Sequence, residues 1–299
     1  MKTARNEMVI KVPALVLAPL RLYFQVAARV LPAAAVGAFT WLLSHMPRKP
    51  LSQRDRDFLA TAKRIDLPCD GAVLAGYSFG EGPLVLMVHG LQGSAANFHA
   101  MIPALVAAGY RVVAFDSVNH SNSPAGTAFS NNSIRHLRQV IAQLGELHAI
   151  ISHSAGAYLT MMALLDCPPN ASVRKCVYLA PYPDIGVTLR TFTDYFWVPA
   201  RVMPQLRRWF EQIGQRPFEQ QSMRDCLPRH RTPALPQRLF IHDRDDRHIP
   251  LHHTEQMLVG IEQARLHVTE GLGHFRILKD RAVLEQIVAF LGQSDGTPP

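Results

Sequence analysis

The sequence contains few cysteines and few charged residues. Only four of its 299 residues are cysteines, and none forms a CxxC pair or another spacing typical of metal ligands. Nothing in this usage demands an oxidising compartment. Charged residues make up 18% and hydrophobic residues 48% of the chain. This balance excludes a disordered protein and predicts a globular protein with a large core.

Positive charge is concentrated at the start of the chain. The net charge is +8, and the first 65 residues hold eleven Lys and Arg against three Asp and Glu. The rest of the chain is neutral, so it lacks the basic excess that nucleic-acid binding requires. No basic groove interleaved with aromatic residues is visible either. We therefore expect no nucleic-acid partner.

Residues 1–62 are predicted to form a basic, apolar helical segment outside the main domain. Its charge-free stretches, 12–20 and 30–44, are shorter than the ~20 residues that span a bilayer. Three interpretations remain open: a cleaved secretory signal, helices packed on the domain, or an interfacial segment anchored by Trp41. We expect a cytoplasmic protein, which under the third interpretation contacts the inner face of a membrane through residues 1–46.

From residue 63 onward, segments typical of strands and helices alternate. The alternation predicts an α/β fold with a doubly wound, mostly parallel sheet over residues 63–292, followed by a disordered tail at 293–299. An early antiparallel strand is expected at 72–79. The other predicted strands are 84–89, 110–116, 147–151, 175–180, 238–242 and 266–270, and the predicted helices are 97–108, 131–144, 157–165 and 282–291.

Ser154 lies between one of these strands and the helix that follows it. The sequence Ser-His-Ser-Ala-Gly at 152–156 places a small residue two positions before Ser154 and another two positions after it. Small residues are needed there because the helix backbone passes close to the strand. The first of them is usually Gly, and here it is Ser152. The pattern predicts a nucleophile elbow that exposes the Ser154 hydroxyl at the top of the sheet.

A His-Gly dipeptide follows the first buried strand, at the edge where ligands bind in α/β sheets. An oxyanion formed during acyl transfer needs two backbone N–H donors. We expect the N–H groups of Leu91 and Ala155 to supply them. His89, Gly90 and His153 are expected to line the substrate site.

A candidate acid and a candidate base follow two later strands. Asp243, Asp245 and Asp246 compete for the role of acid, and position along the strand favours Asp246, with Asp245 as the alternative. His274 lies in a Gly-flanked loop after the last strand. In such a pair the carboxylate holds the imidazole in the correct tautomer. The neighbouring His252-His253 leaves a metal cluster as a less favoured alternative, so we expect no metal and no cofactor.

Together these residues resemble the α/β-hydrolase superfamily, in particular its serine esterase and lipase-like members. The order Ser154, Asp246, His274, each after a strand end, is the order of that fold. The resemblance covers roughly residues 63–292. It implies that Ser154 is the nucleophile, His274 the base and then the acid, Asp246 the orienting carboxylate, and Leu91 and Ala155 the oxyanion hole.

The sequence departs from the superfamily pattern at three places. Ser152 replaces the usual elbow Gly, and Asp243 replaces the Gly that is common before the acid. The loop at 116–123 keeps an Asp, a His and a Ser but lacks the usual Arg and glycines. None of these departures affects the residues that would carry the chemistry.

Residues 182–236 separate two core strands and are too long for a simple connection. The resemblance implies a lid inserted at this place, whose aromatic residues would form an acyl or alcohol pocket. We single out Tyr182, Phe196 and Trp197 as substrate-binding candidates.

The predicted function is a serine hydrolase that cleaves an apolar or lipid-like carboxylic ester through an acyl-enzyme. The alternatives are a thioesterase or acyltransferase acting on a carrier-bound acyl chain, and a catalytically silent binding protein.

Overall fold

The computed structural model describes residues 12–127, 131–165, 173–227, 236–261 and 264–293, without the side chains of Asn131, Asp225 and Cys226. The predictions made for residues 1–11, for the 228–235 part of the insertion and for the tail beyond residue 293 lie outside these ranges. Among the described helices, none combines the length and the apolar composition needed to cross a bilayer.

A single eight-stranded sheet forms the centre of the molecule. Its strands are β1 (Lys63–Cys69), β2 (Ala72–Phe79), β3 (Leu84–Val88), β4 (Arg111–Phe115), β5 (Leu147–His153), β6 (Val173–Leu179), β7 (Gln237–Asp243) and β8 (Ala264–Thr269). They lie in the order β1-β2-β4-β3-β5-β6-β7-β8. β2 runs antiparallel to β1 and β4, and all other neighbours are parallel. The predicted fold class is thereby confirmed.

Helices precede the sheet, cover both of its faces and fill the long insertion. The helices are α1 (Ala14–Val30), α2 (Pro32–Ser44), α3 (Gln53–Ala60), α4 (Met101–Ala107), α5 (Asn131–Leu144), α6 (Ala155–Leu165), α7 (Ile185–Phe196), α8 (Met203–Gly214), α9 (Met223–Cys226), α10 (Leu251–Leu258), α11 (Gly273–Arg276) and α12 (Arg281–Gly292). The helices α7, α8 and α9, which connect β6 to β7, are called the inserted helices below.

The central strands are apolar on both faces because helices cover each side of the sheet. In β3, Met87 belongs to the cluster that includes residues of α4 and α12, whereas Leu86 and Val88 belong to the cluster formed with α5 and α6. This alternation follows from the two-residue period of a strand. The alternation explains why β3 is a continuous apolar run. The parallel direction of β3 to β8 brings the carboxyl ends of these strands to one edge of the sheet.

A third apolar cluster joins the N-terminal helices to the inserted helices. Phe24 of α1 and Phe39 of α2 are fully buried there, together with Phe196 and Phe210 from the insertion. Polar contacts fix the same junction, since Arg21 Nε donates to the Tyr195 carbonyl at 2.8 Å. The described part of the N-terminal segment therefore packs on the insertion with one face, and its other face remains exposed.

Candidate active site

The turn between β5 and α6 gives Ser154 an unusual backbone conformation. Its φ is +53°, in the left-handed region that non-Gly residues rarely adopt. Two residues later, a Cβ on Gly156 would lie 2.5 Å from the carbonyl oxygens of both Val88 and His89. Only glycine fits at that position. Ser152 is fully buried and its hydroxyl donates to the Val177 carbonyl at 3.3 Å, so β6 accommodates a serine where glycine is usual.

Ser154, His274 and Asp246 form one continuous chain of hydrogen bonds. His274 Nε2 lies 3.0 Å from Ser154 Oγ, and His274 Nδ1 lies 2.7 Å from Asp246 Oδ2. A carboxylate can only accept, so Nδ1 carries the proton and Nε2 is free to accept from the serine hydroxyl. All three residues are buried and follow the ends of β5, β7 and β8. This is the arrangement of a nucleophile, a base and a base-orienting acid.

The environment of Asp246 keeps its carboxylate ionised. Burial raises the pKa of Asp246, but hydrogen bonds from His242 and His274 outweigh it and hold the pKa well below its ordinary value. Its second oxygen accepts the backbone N–H of His248 at 2.8 Å and that of Ile249 at 2.9 Å. Asp245, the alternative acid, has a different partner: its carboxylate accepts the Gly271 N–H.

The loop after β3 lies directly against the elbow. A Cβ on Gly90 would be 3.0 Å from Ser154 Cβ, so this position needs a residue without a side chain. The turn is held by the Gly93 N–H, which donates to the Gly90 carbonyl at 3.0 Å, and by the Gln92 N–H, which donates to His120 Nε2 at 3.1 Å. Leu91 lies within this turn.

Ala155 provides a second backbone donor beside the nucleophile. It is the first residue of α6, where an N–H has no partner within the helix and the helix dipole favours negative charge. The structure thus brings Leu91 and Ala155 to the same pocket as Ser154.

Two neutral histidines shape the loops around Leu91. His89 Nδ1–H donates to the Gly90 carbonyl at 2.7 Å, and His89 Nε2 accepts the Ser117 N–H at 3.0 Å. His120 Nδ1–H donates to the Val118 carbonyl at 2.9 Å while Nε2 accepts from Gln92. Burial lowers the pKa of His89 to about 4 and that of His120 to about 4. Each ring can therefore act as donor and acceptor at once.

Two further histidines flank His274. His153 Nε2–H donates to the His274 carbonyl at 2.9 Å, and burial, with the neighbouring His274, lowers the pKa of His153 to about 3. His248 stacks on His274 with the ring planes 3° apart and the centroids 5.0 Å apart. Apart from the position of His248 two residues after Asp246, no sequence pattern predicts this stacking.

A cavity of about 380 Å³ opens at Ser154 and extends under the inserted helices. The site residues predicted from the sequence that line it are His89, Gly90, Leu91, His153, Ser154, Ala155, Tyr182 and His274. The lining residues that were not among the predicted site residues include Lys49, His120, Tyr158, Ile185, Thr188, Thr191, Phe192, Phe210, Ile213, Gln221 and His248. Burial raises the pKa of Tyr182, whose side chain hydrogen-bonds with Thr188 and Thr191. Tyr182 is thus fixed as part of the wall.

Phe196 and Trp197 do not line this cavity, which corrects the sequence-based expectation. Phe196 lies one helical turn after Phe192 and turns to the N-terminal helices, with its ring centroid 6.1 Å from that of Phe24. Trp197 ends α7 in a left-handed conformation and is 56% exposed, with the Arg21 guanidinium 4.5 Å from its ring centroid. Both residues join the insertion to α1 and do not face the pocket.

The alternative of a metal cluster around His252 and His253 has no counterpart in the described part of the chain. Within those residues, no three or more His, Cys, Asp or Glu side chains converge as ligands would.

Comparison with known proteins identifies relatives of this architecture. A sequence model described as the alpha/beta hydrolase family matches residues 85–286. An sn-1-specific diacylglycerol lipase from Danio rerio is 31% identical over 162 residues, covering 52% of this chain. The match covers 47% of that relative, so the chain spans about half of its length.

A hydrolase of 2-hydroxy-6-oxononadienedioate and 2-hydroxy-6-oxononatrienedioate from Pseudomonas sp. is 28% identical over 232 residues, or 64% of this chain and 81% of the relative. Among solved structures, an esterase from Pyrococcus furiosus superposes with a TM-score of 0.58 at 18% identity, covering 84% of this chain and 96% of the esterase. At that identity the likeness concerns the fold alone.

Proposed function

Because the chain belongs to the alpha/beta hydrolase family, we propose that it is a serine hydrolase that cleaves an apolar, lipid-like carboxylic ester. The observation that carries the proposal is the continuous hydrogen-bonded chain from Ser154 Oγ through His274 to Asp246. A serine becomes an effective nucleophile when its proton can pass to a neighbouring base and a third group orients that base.

In the first half of the proposed reaction, Ser154 Oγ attacks the ester carbonyl while His274 Nε2 takes its proton. Asp246 stabilises the imidazolium that forms. The negative charge on the carbonyl oxygen is met by the N–H groups of Leu91 and Ala155, which are positioned before the reaction begins. His274 then gives its proton to the leaving alkoxide, and the acyl group stays on Ser154.

In the second half, water takes the place of the alcohol. His274 removes a proton from the water, and the hydroxide attacks the acyl carbonyl. The tetrahedral intermediate collapses, releasing the carboxylic acid and returning the proton to Ser154 Oγ. No further cofactor is needed for this cycle, because the serine, the imidazole and the two amides carry every step.

An apolar acyl group suits the cavity. Its walls include Ile185, Phe192, Phe210 and Ile213 from the inserted helices, and none of the described residues that line it is Asp or Glu. Burial of hydrocarbon against such side chains contributes about 0.8 kcal/mol per CH₂ group. The name of the Danio rerio relative, a lipase for diacylglycerol, agrees with a lipid-like substrate. We assign the inserted helices the role of a lid on this pocket.

Hydrolysis of p-nitrophenyl esters from acetate to palmitate by wild type and by Ser154→Ala tests the proposal. We expect measurable activity in wild type and a loss of roughly 10⁴-fold or more in kcat for the variant, since loss of a serine nucleophile has costs of that order or larger. Ser78→Ala is a matched control, because Ser78 is another buried serine but lies on β2. A fluorophosphonate probe should label wild type and Ser78→Ala only.

Equal activity in wild type and Ser154→Ala would overturn the serine mechanism. Folded wild type without activity on any ester would contradict ester hydrolysis. In that case transfer to added alcohol or thiol acceptors, or hydrolysis of acyl thioesters, would indicate an acyltransferase or a thioesterase. Absence of probe labelling as well would indicate a silent binding protein.

A further inference from the structure

The N-terminal helices bury one face and leave an apolar second face exposed. On α1, Phe24, Ala27 and Ala28 are buried against the rest of the molecule. On its other side, Leu15, Leu22, Val26 and Val30 are between 52% and 92% exposed. Their spacing of seven, four and four residues places them in one stripe along the helix. Monomeric proteins rarely leave such a continuous apolar surface in water without a use for it.

The connection to α2 and α2 itself extend the apolar surface. Leu31, between the helices, is 60% exposed and Trp41 is 59% exposed. Tyr23 ties the two helices together, because its hydroxyl donates to the Ala34 carbonyl at 3.2 Å. We call the exposed side chains of Leu15, Leu22, Val26, Val30, Leu31 and Trp41 the apolar stripe.

The segment of the chain that carries the apolar stripe has charge of a single sign. No Asp or Glu occurs from residue 8 to residue 54 of the sequence, whereas Arg21, Arg29, Arg48 and Lys49 all lie in that range. Among the described residues, none of these basic side chains forms an ion pair with a carboxylate. The positive charge is therefore not compensated within the described structure.

We infer that the apolar stripe is a docking surface for an anionic lipid membrane. Apolar residues on one side of a helix, with Arg on the same helix and an exposed Trp on the next helix, are features of helices that lie in the plane of the interface. Basic side chains near an anionic leaflet contribute about 1 kcal/mol each. Such a helix does not cross the bilayer, in agreement with the length of α1.

The docking surface lies close to the candidate active site. Phe192 and Phe210 belong to the cluster that buries α1 and α2, and they also line the cavity. The proposed membrane contact and the pocket thus lie on opposite sides of the cluster that α1 and α2 form with the inserted helices. The role of the pocket here rests on the proposed function. A pocket at this place would receive a lipid-like ester as the ester leaves the bilayer.

Co-sedimentation of the full chain with vesicles tests the inference. Vesicles of phosphatidylcholine alone are compared with vesicles containing about 30% phosphatidylglycerol, at low and at high salt. We expect binding to the anionic vesicles that weakens as salt screens the charge. The double variant Leu22→Glu/Val26→Glu should bind at least tenfold more weakly, because it places two carboxylates in the apolar stripe.

Val259→Glu is the matched control, since Val259 is 71% exposed but lies after α10, away from the apolar stripe. It should bind like wild type. The double variant should keep the wild-type melting temperature, because the replaced side chains are exposed. Wild type that fails to sediment with anionic vesicles would overturn the inference. A second result would also overturn it: wild type forms a dimer, the double variant does not, and neither binds vesicles. A second copy of the chain would then cover the apolar stripe.

A separate measurement distinguishes this inference from the proposed function. Ser154→Ala should sediment with vesicles like wild type although it hydrolyses no ester. The double variant should hydrolyse a soluble ester like wild type but lose at least tenfold on an ester presented in anionic vesicles. Loss of both activities in a folded double variant would contradict a role confined to docking.

Discussion

Asp243 Oδ1 accepts the backbone N–H of Gly273 at 2.8 Å, and this bond anchors the loop immediately before His274. The same carboxylate accepts from the Leu272 N–H, the Thr269 hydroxyl and the Asp245 N–H, at 3.0, 2.8 and 2.9 Å. Burial raises the pKa of Asp243, but these hydrogen bonds outweigh it and leave the pKa below its ordinary value. A carboxylate thus ties the end of β7 to the loop after β8, where the superfamily commonly has glycine.

Asp243→Ala should loosen the loop that carries His274. We expect a loss of about 3 kcal/mol in unfolding free energy, because four donors lose their acceptor in a largely buried site. A drop of roughly 10-fold to 100-fold in kcat should accompany it as His274 loses its fixed position. Urea unfolding and ester hydrolysis measure the two effects. Asp280→Ala is the control: the Asp280 carboxylate caps α12 by accepting the Val283 N–H, so kcat should stay unchanged.

The choice between Asp246 and Asp245 as the acid can be decided by a pair of variants. Asp246→Ala removes the partner of His274 Nδ1 and should lower kcat by roughly 10²-fold to 10⁴-fold, since the imidazole loses its tautomer and its counter-charge. Asp245→Ala should lower kcat by less than about threefold, because the Asp245 carboxylate accepts the Gly271 N–H, whereas His274 Nδ1 bonds to Asp246. The opposite ranking in a steady-state assay would assign the role to Asp245.

His242 is predicted to position Asp246, because it approaches the same carboxylate oxygen as His274. Its Nε2 lies 2.8 Å from the Ile249 carbonyl and 3.4 Å from Asp246 Oδ2, and its Nδ1 lies 2.7 Å from Thr254 Oγ1. Because a carbonyl can only accept, Nε2 carries the proton and Nδ1 accepts from the Thr254 hydroxyl. Replacing this ring should free the Asp246 carboxylate to move.

His242→Phe should lower kcat by roughly tenfold with little change in KM, because the ring does not line the pocket and acts through Asp246. The downfield proton resonance of His274 Nδ1 should broaden or shift, which a purely structural role would not require. His242→Gln, which can still donate to Ile249, should recover most of the rate. Wild-type kcat and an unchanged resonance in His242→Phe would contradict the positioning role.

Gly156 should tolerate no side chain. In Gly156→Ala the new Cβ would meet two backbone carbonyl oxygens at 2.5 Å, which cannot move as a flexible side chain could. We expect a loss of at least about 2 kcal/mol in unfolding free energy, as in overpacked cores, and a loss of activity as the elbow shifts. Gly292→Ala is the control, because a Cβ there meets nothing within 4 Å. Thermal melts of both variants measure the difference.

The juxtaposition of Ser154, Asp246 and His274 could be predicted because strand ends are readable in the sequence. Each residue follows an apolar run, and parallel strands bring their carboxyl ends to one edge. The contributions of His242 and Asp243 could not be predicted, since hydrogen bonds from a strand end to nearby loops and to a helix leave no periodic pattern. Asp243 was visible only as a departure from the superfamily pattern.

The pocket wall was harder to predict from sequence than the strand ends. Phe192 and Phe196 lie one turn apart on the same helix, but Phe192 faces both the pocket and the N-terminal helices whereas Phe196 packs only on the latter. The partner of α7 is α1, about 170 residues earlier in the chain, and local sequence does not specify that pairing. An aromatic-rich insertion therefore predicts a wall without saying which rings form it.

Acid should destabilise the protein well above the pH at which carboxylates titrate. His89, His120 and His153 are buried and neutral, with pKa values lowered to about 4, about 4 and about 3, largely by burial. In the unfolded chain a histidine binds its proton near pH ~6.5. Between those values the unfolded state holds more protons than the folded state, so stability falls as the pH falls. Each histidine contributes a slope of about 1.4 kcal/mol per pH unit.

Urea unfolding between about pH 7.5 and about pH 4.5 measures this slope. His120→Gln should reduce the slope by about 1.4 kcal/mol per pH unit, which is the contribution of one proton. Glutamine can still accept from Gln92 and donate to Val118, but it does not titrate. A His120→Gln variant with the wild-type slope would mean that His120 is already protonated in the folded protein. The Gln92 N–H would then lack its acceptor, because a charged imidazole can only donate, and the neutral tautomer assigned to His120 would be wrong.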